Sequence, residues 1–77
     1  MRAVVPMFVL REMLEETERQ ISKCEIRLEM YRLQAAKAGG GTAAFLKDVQ
    51  RYDDIYQQLL MLRREIQHDL SEQEIAA

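Results

Sequence analysis

Three consecutive glycines, Gly39 to Gly41, stand at the middle of this 77-residue chain and separate two long stretches that contain no other glycine. Each stretch carries an apolar repeat of helical period, so the glycine run can be little other than the turn of a helical hairpin. The expectation is an all-α fold: two long helices forming an antiparallel coiled-coil hairpin, a helix over 6–38, a glycine-rich turn over 39–41 and a helix over 42–73.

The first stretch opens at Pro6, whose fixed φ and missing N–H suit a first helical turn. Its apolar and small residues fall at Leu10, Leu14, Thr17, Ile21, Cys24, Leu28, Tyr31, Ala35 and Ala38, in alternating steps of four and three. That is the spacing of a heptad seam. The second stretch opens at Thr42, whose hydroxyl can accept from the free N–H groups of the next turn. Phe45, Val49, Tyr52, Ile55, Tyr56, Leu59, Leu62, Ile66 and Leu70 are its expected inward residues and cover a wide arc. At 1.5 Å per residue each helix would be roughly 45 to 50 Å long, and a short connection makes them antiparallel neighbours.

Folding at Gly40 sets a register. It places Glu18 opposite Arg63 and Arg64, Ile21 near Leu60, Leu28 near Asp53 and Ile55, and Leu14 near Ile66. An exposed pair such as Glu18 with Arg63 adds under about 1 kcal/mol, so it selects alignment more than it stabilises.

A chain this short buries enough for only a few kcal/mol of stability, and two helices share a single seam. The hairpin is therefore expected to be completed to a bundle by a partner or by self-association. Apolar residues also remain that the seam cannot cover. Ile26, Met30 and Leu33 are spaced i, i+4, i+7 and, at 100° per residue, point about opposite to Cys24, Leu28 and Tyr31. The N-terminal run Val4, Val5, Met7, Phe8, Val9 and Leu10 is almost wholly apolar, although a chain end is ordinarily wet. It either folds over the mouth of its own hairpin or is buried by another chain. Val5, Phe8, Val9, Ile26, Met30 and Leu33 are thus the candidate partner-binding residues.

Several function classes lose support. Pro6 interrupts the apolar start and Arg11, Glu12, Glu15 and Glu16 follow it, which does not fit a secretory signal. No stretch approaches the roughly 20 apolar residues of a membrane span. A lone cysteine, Cys24, forms no internal disulfide and fits a reducing, cytoplasmic compartment; its seam position makes it a small buried hydrophobe rather than a nucleophile or ligand. His68, the single histidine, reads as a solvated side chain favoured by the C-terminal end of the second helix. The glycine run follows no strand and precedes no Gly-Lys-Ser/Thr, so it is no phosphate loop. Glu12, Glu15, Glu16 and Glu18 read as carboxylates near a helix start, which need no ion. No enzyme, cofactor or metal site is expected.

Nucleic-acid binding is the competing reading. Arg19, Lys23, Arg27 and Lys37, with Arg32 on the flank, give the first helix a basic side that could track phosphates, as a self-associating four-helix bundle of the plasmid copy-control kind would. Against it, Glu25 and Glu29 interleave, and 13 acidic groups outnumber 11 basic ones for a net charge of −2. Nucleic acid is therefore the less favoured partner.

One family resemblance bears on the partner. A helix, a Gly-Gly turn, a second helix with Gln50 and Arg51 shortly after the turn, and Asp69-Leu70 near its end resemble the small co-chaperones of the type III secretion needle subunit. The resemblance covers about Gln34 to Leu70, and the chain departs from that pattern in its longer apolar N-terminus and an extra glycine in the turn. It implies a cytosolic hairpin that pairs with a helical-repeat chaperone and keeps a secreted subunit from polymerising. In that case Ile26, Met30 and Leu33, or the apolar N-terminus, would dock into a groove of the partner. Met7, Met13, Met30 and Met61 suit such uneven contacts, or equally the gaps of a homo-oligomer core. The expected activity is that of a non-enzymatic interaction module, a chaperone or adaptor of a secretion or assembly system.

Overall fold

The computed structural model describes residues 5–38 and 43–76, and within them the chain is two α-helices, α1 (Met7–Ala38) and α2 (Ala43–Ala76). The glycine turn, the Thr42 cap, Val4 and the side chain of Ala38 lie outside the described residues. The helices pack against each other along their length in a rod of 55 × 21 × 15 Å. The molecule is an all-α helical hairpin.

Pro6 sits one residue ahead of the first helix rather than inside it. Its carbonyl accepts from the N–H groups of Val9 and Leu10, both at 3.1 Å, which makes it the capping residue whose oxygen receives the first helical bond. Because α1 starts at Met7, the cluster from Glu12 to Glu18 falls beyond the first turn, which holds no acidic residue. Those carboxylates act locally instead. Glu16 accepts from Gln20 Nε2 at 2.8 Å and from Arg19 Nε and Nη2 at 3.0 and 2.8 Å. These bonds, that of Gln20 first, hold its carboxyl below the ordinary value.

The α1 seam takes the expected course. Leu10, Thr17, Ile21 and Cys24 are buried, with Leu14, Leu28, Tyr31 and Ala35 half-buried between and beyond them. Thr17 is 5 % exposed, and its hydroxyl donates to the Met13 carbonyl at 2.7 Å. A polar group therefore occupies a core position without an orphaned hydrogen.

The α2 seam corrects the expectation. Phe45, Val49, Tyr52, Tyr56, Leu59, Arg63, Ile66, Leu70 and Gln73 are the buried or half-buried line, an unbroken alternation of four and three. Ile55 and Leu62, expected inside, are 40 % and 39 % exposed on the edge of the seam. Arg63 takes the inward position, a site an arginine fills with its aliphatic stem while its head stays wet. A strict heptad in both helices implies a left-handed supercoil.

Cross-helix contacts settle the register. Tyr31 meets Phe45 edge-on at 5.4 Å and Tyr52 at 5.6 Å, and the Arg27 guanidinium lies 5.7 Å from the centre of the Tyr52 ring. Tyr56 donates its hydroxyl to Glu25 at 3.3 Å, and Gln73 Nε2 donates to the Val5 carbonyl at 2.6 Å. All these pairs are centred close to the glycine run, as folding about Gly40 requires. Glu18 and Arg63 form no bridge, however. The ion pairs among the described residues, Glu16–Arg19 and Glu29–Arg32, and the His68–Glu72 contact each lie within one helix. Alignment rests on the ring cluster and on apolar burial.

Candidate functional site

Burial along the rod is uneven. Of the side chains that are nearly sealed, Leu10, Thr17, Ile21 and Ile66 belong to the half that holds the open end, and Cys24 lies just past the middle. From Leu28 to Leu59 every described seam residue is only half-buried, and no large side chain anywhere among the described residues is fully sealed. A single seam between two helices leaves each core residue uncovered on its flanks.

Against that background the exposed apolar residues stand out. Ile26 is 63 %, Met30 48 % and Leu33 55 % exposed, within two turns of one another on the face of α1 turned away from α2. Helical periodicity brings these three candidates together because each follows a seam residue by two positions, about 200° of rotation. Val5, Phe8 and Val9 are not part of that patch. Phe8 and Ile26 share a line along α1 but are separated by roughly 27 Å of helix, with Glu12, Glu15 and Arg19 between.

The N-terminal candidates divide among themselves. Leu10 is 2 % exposed in the seam, Val9 is half-buried, and the Val5 carbonyl is tied to Gln73, so part of the segment folds over the open mouth of its own hairpin. Phe8 points outward at 67 % exposure. Further exposed apolar side chains, Leu46, Met61 and Ile75, are scattered along α2. Single exposed apolar residues are ordinary on a protein surface.

The three arginines of the basic side of α1 are engaged within the chain. Arg19 bridges Glu16, Arg32 bridges Glu29, and Arg27 covers the Tyr52 ring, a contact that holds its charge over an electron-rich face. On the opposite side of the seam Glu25, Leu28, Glu29, Arg32 and Tyr56 line a shallow notch. Tyr56 has its hydroxyl pKa raised, first by partial desolvation and then by the charge of Glu25 and the hydrogen bond to it. His68 stands before the final turns of α2 and pairs with Glu72 at 3.1 Å rather than with the carbonyl end of the helix, because α2 continues to Ala76. Cys24 is a buried free thiol in the seam. Among the described residues no group of three His, Cys, Asp or Glu is placed to hold a metal ion, and no helix is long and apolar enough to cross a membrane.

The fold and surface thus define a helical hairpin with an apolar stripe on its outer side. Comparison with protein-family models, with curated proteins and with solved structures finds no match. Nothing in those comparisons bears on the resemblance to the needle-subunit co-chaperones.

Proposed function

We propose that this chain is a non-enzymatic protein–protein interaction module, a small cytoplasmic chaperone or adaptor of a secretion or assembly system. The observation that carries the reading is the stripe of Ile26, Met30 and Leu33, about half exposed or more on the back of α1 where intramolecular packing has no use for it. Its i, i+4, i+7 spacing is that of an amphipathic helix laid into a groove, and methionine at its centre adapts to an uneven partner surface. A partner built of paired helices, of the helical-repeat chaperone kind, or a helical secreted subunit supplies such a groove. The resemblance of the second half of the chain to the needle-subunit co-chaperones points the same way.

Substitution tests it. Met30→Glu places a charge in the middle of the stripe without touching the seam, so helix content by circular dichroism stays within a few per cent of the parent chain. The companion chain recovered with the tagged protein from its own host is lost at the same time. Retention of the same stoichiometric companion by the Met30→Glu and Leu33→Glu variants would overturn the reading. A large loss of helix in Met30→Glu would place that residue in the core instead.

A further inference from the structure

The edge of α2 carries a pattern that neither the hairpin seam nor the α1 stripe uses. Arg51, Ile55, Gln58, Leu62, Glu65 and Asp69 succeed one another in steps of four and three, so they form a second heptad line beside the seam. Arg51, Gln58, Glu65 and Asp69 are exposed, as are Ile55 at 40 % and Leu62 at 39 %. None of the four charged or amide side chains contributes to an ion pair or hydrogen bond found among the described residues. From Arg51 to Glu65 the line reads basic, apolar, amide, apolar, acidic, and that order is its own complement when reversed about Gln58, with Asp69 beyond it.

We propose that a second copy of this chain docks here, α2 against α2 and antiparallel, about a two-fold axis passing beside Gln58. In that arrangement Arg51 of each copy faces Glu65 of the other, and Ile55 packs against Leu62. Asp69 falls beside Lys47 and Asp48, and Gln58 meets its own counterpart, amide to amide. A two-fold axis makes every contact occur twice, so one favourable charge pair and one apolar pair per chain become two of each. A parallel alignment of the same line would set Arg51 on Arg51 and Glu65 on Glu65, which costs affinity and so selects the antiparallel form.

Burial supplies the driving force. Ile55 and Leu62 are the two residues whose apolar character marks them as core and whose position leaves them at the edge of the seam, next to the half-buried Leu59 and the buried Ile66. Covering them also thickens the thin middle of the hairpin, where no seam residue of α2 between Phe45 and Arg63 is fully buried. This interface lies on α2 and does not depend on the proposed role of the α1 stripe.

The test is the mass of the full-length chain by light scattering after size exclusion, across a dilution series, for three proteins. The parent chain of 9.0 kDa runs at twice that mass. Glu65→Arg opposes two arginines at both symmetric contacts and weakens the dimer by about tenfold or more. Arg51→Glu combined with Glu65→Arg restores it, because the swap preserves complementarity. A fourth protein, Gln58→Cys with Cys24→Ala, cross-links to a covalent dimer under mild oxidation, whereas Gln67→Cys in the same background does not. A monomeric parent chain overturns the proposal. So does a dimer indifferent to Glu65→Arg, or one that the double swap fails to restore.

Discussion

Tyr56 is the residue whose chemistry ties the two helices together most directly. Its ring occupies an inward position of α2 while its hydroxyl reaches across to Glu25 on α1 at 3.3 Å. Desolvation and the neighbouring carboxylate both oppose loss of the phenolic proton, so the folded-state pKa lies above that of the unfolded chain. The sign follows from linkage. A raised folded pKa means that the native state holds its proton longer, so the contribution is fully present below the ordinary tyrosine value of about 10 and is lost as pH rises through the folded value. Urea midpoints measured from neutral to strongly alkaline pH should fall in that window for the parent chain and fall less steeply for Tyr56→Phe, which has no proton to lose. An identical alkaline slope in the two proteins would assign the loss to other groups. Glu16 titrates in the opposite sense at acid pH. Its lowered pKa gives stability present above the ordinary carboxylate range and lost as pH falls through the folded value, and its full exposure keeps that effect small.

At the scale of the element, the two isoleucines near the end of α2 separate packing from propensity. Ile66 is 3 % exposed in the seam and Ile75 is 86 % exposed on the outside of the last turns. Ile66→Ala removes buried methyl groups and leaves a cavity, at a cost of about 2 to 4 kcal/mol. Ile75→Ala exchanges an exposed β-branched residue for a better helix former and changes stability by less than about 0.5 kcal/mol. Chemical denaturation of both variants checks the contrast, and equal effects would show that the end of α2 is not packed as described. The same seam shows what could be read from the residues beforehand. In α1 every inward position from Leu10 to Ala35 is apolar or small, so the four-three rhythm was visible without a structure. In α2 the rhythm passes through Arg63 and Gln73, and a reading keyed to apolar side chains stepped aside to Ile55 and Leu62. Following the strict spacing through the polar positions would have found the true line. The last turns of α2 offered no glycine or proline as a stop signal, which is why the helix runs past Gln73 to Ala76. The outward stripe of Ile26, Met30 and Leu33 was legible from rotation alone. The chemistry of whatever it meets was not, since an apolar stripe records shape and spacing but no identity.

The whole molecule is a thin rod, 55 Å long and 15 Å in its shortest dimension, most of whose described apolar side chains are half covered or exposed. Fully burying a leucine or isoleucine contributes about 1.5 to 3 kcal/mol, and among the described apolar residues this rod nearly seals only Leu10, Ile21, Cys24 and Ile66. Single-seam hairpins of this size therefore keep a margin of only a few kcal/mol, so any added layer weighs heavily in the balance. The proposed association along the α2 edge would make that margin depend on mass action. A tenfold rise in concentration stabilises a dimer-linked native state by about 1.4 kcal/mol per dimer, or roughly 0.7 kcal/mol per chain. Domains of this length shift by roughly 4 to 8 °C for each kcal/mol, so the thermal midpoint of the parent chain should climb by roughly 3 to 6 °C per decade of concentration. Glu65→Arg should melt lower, with a midpoint that depends less on concentration over the same range, because more of what unfolds is then the hairpin by itself. Scanning calorimetry over two decades of dilution reads both curves, and a parent midpoint that stays flat would mean that the hairpin stands on its single seam alone.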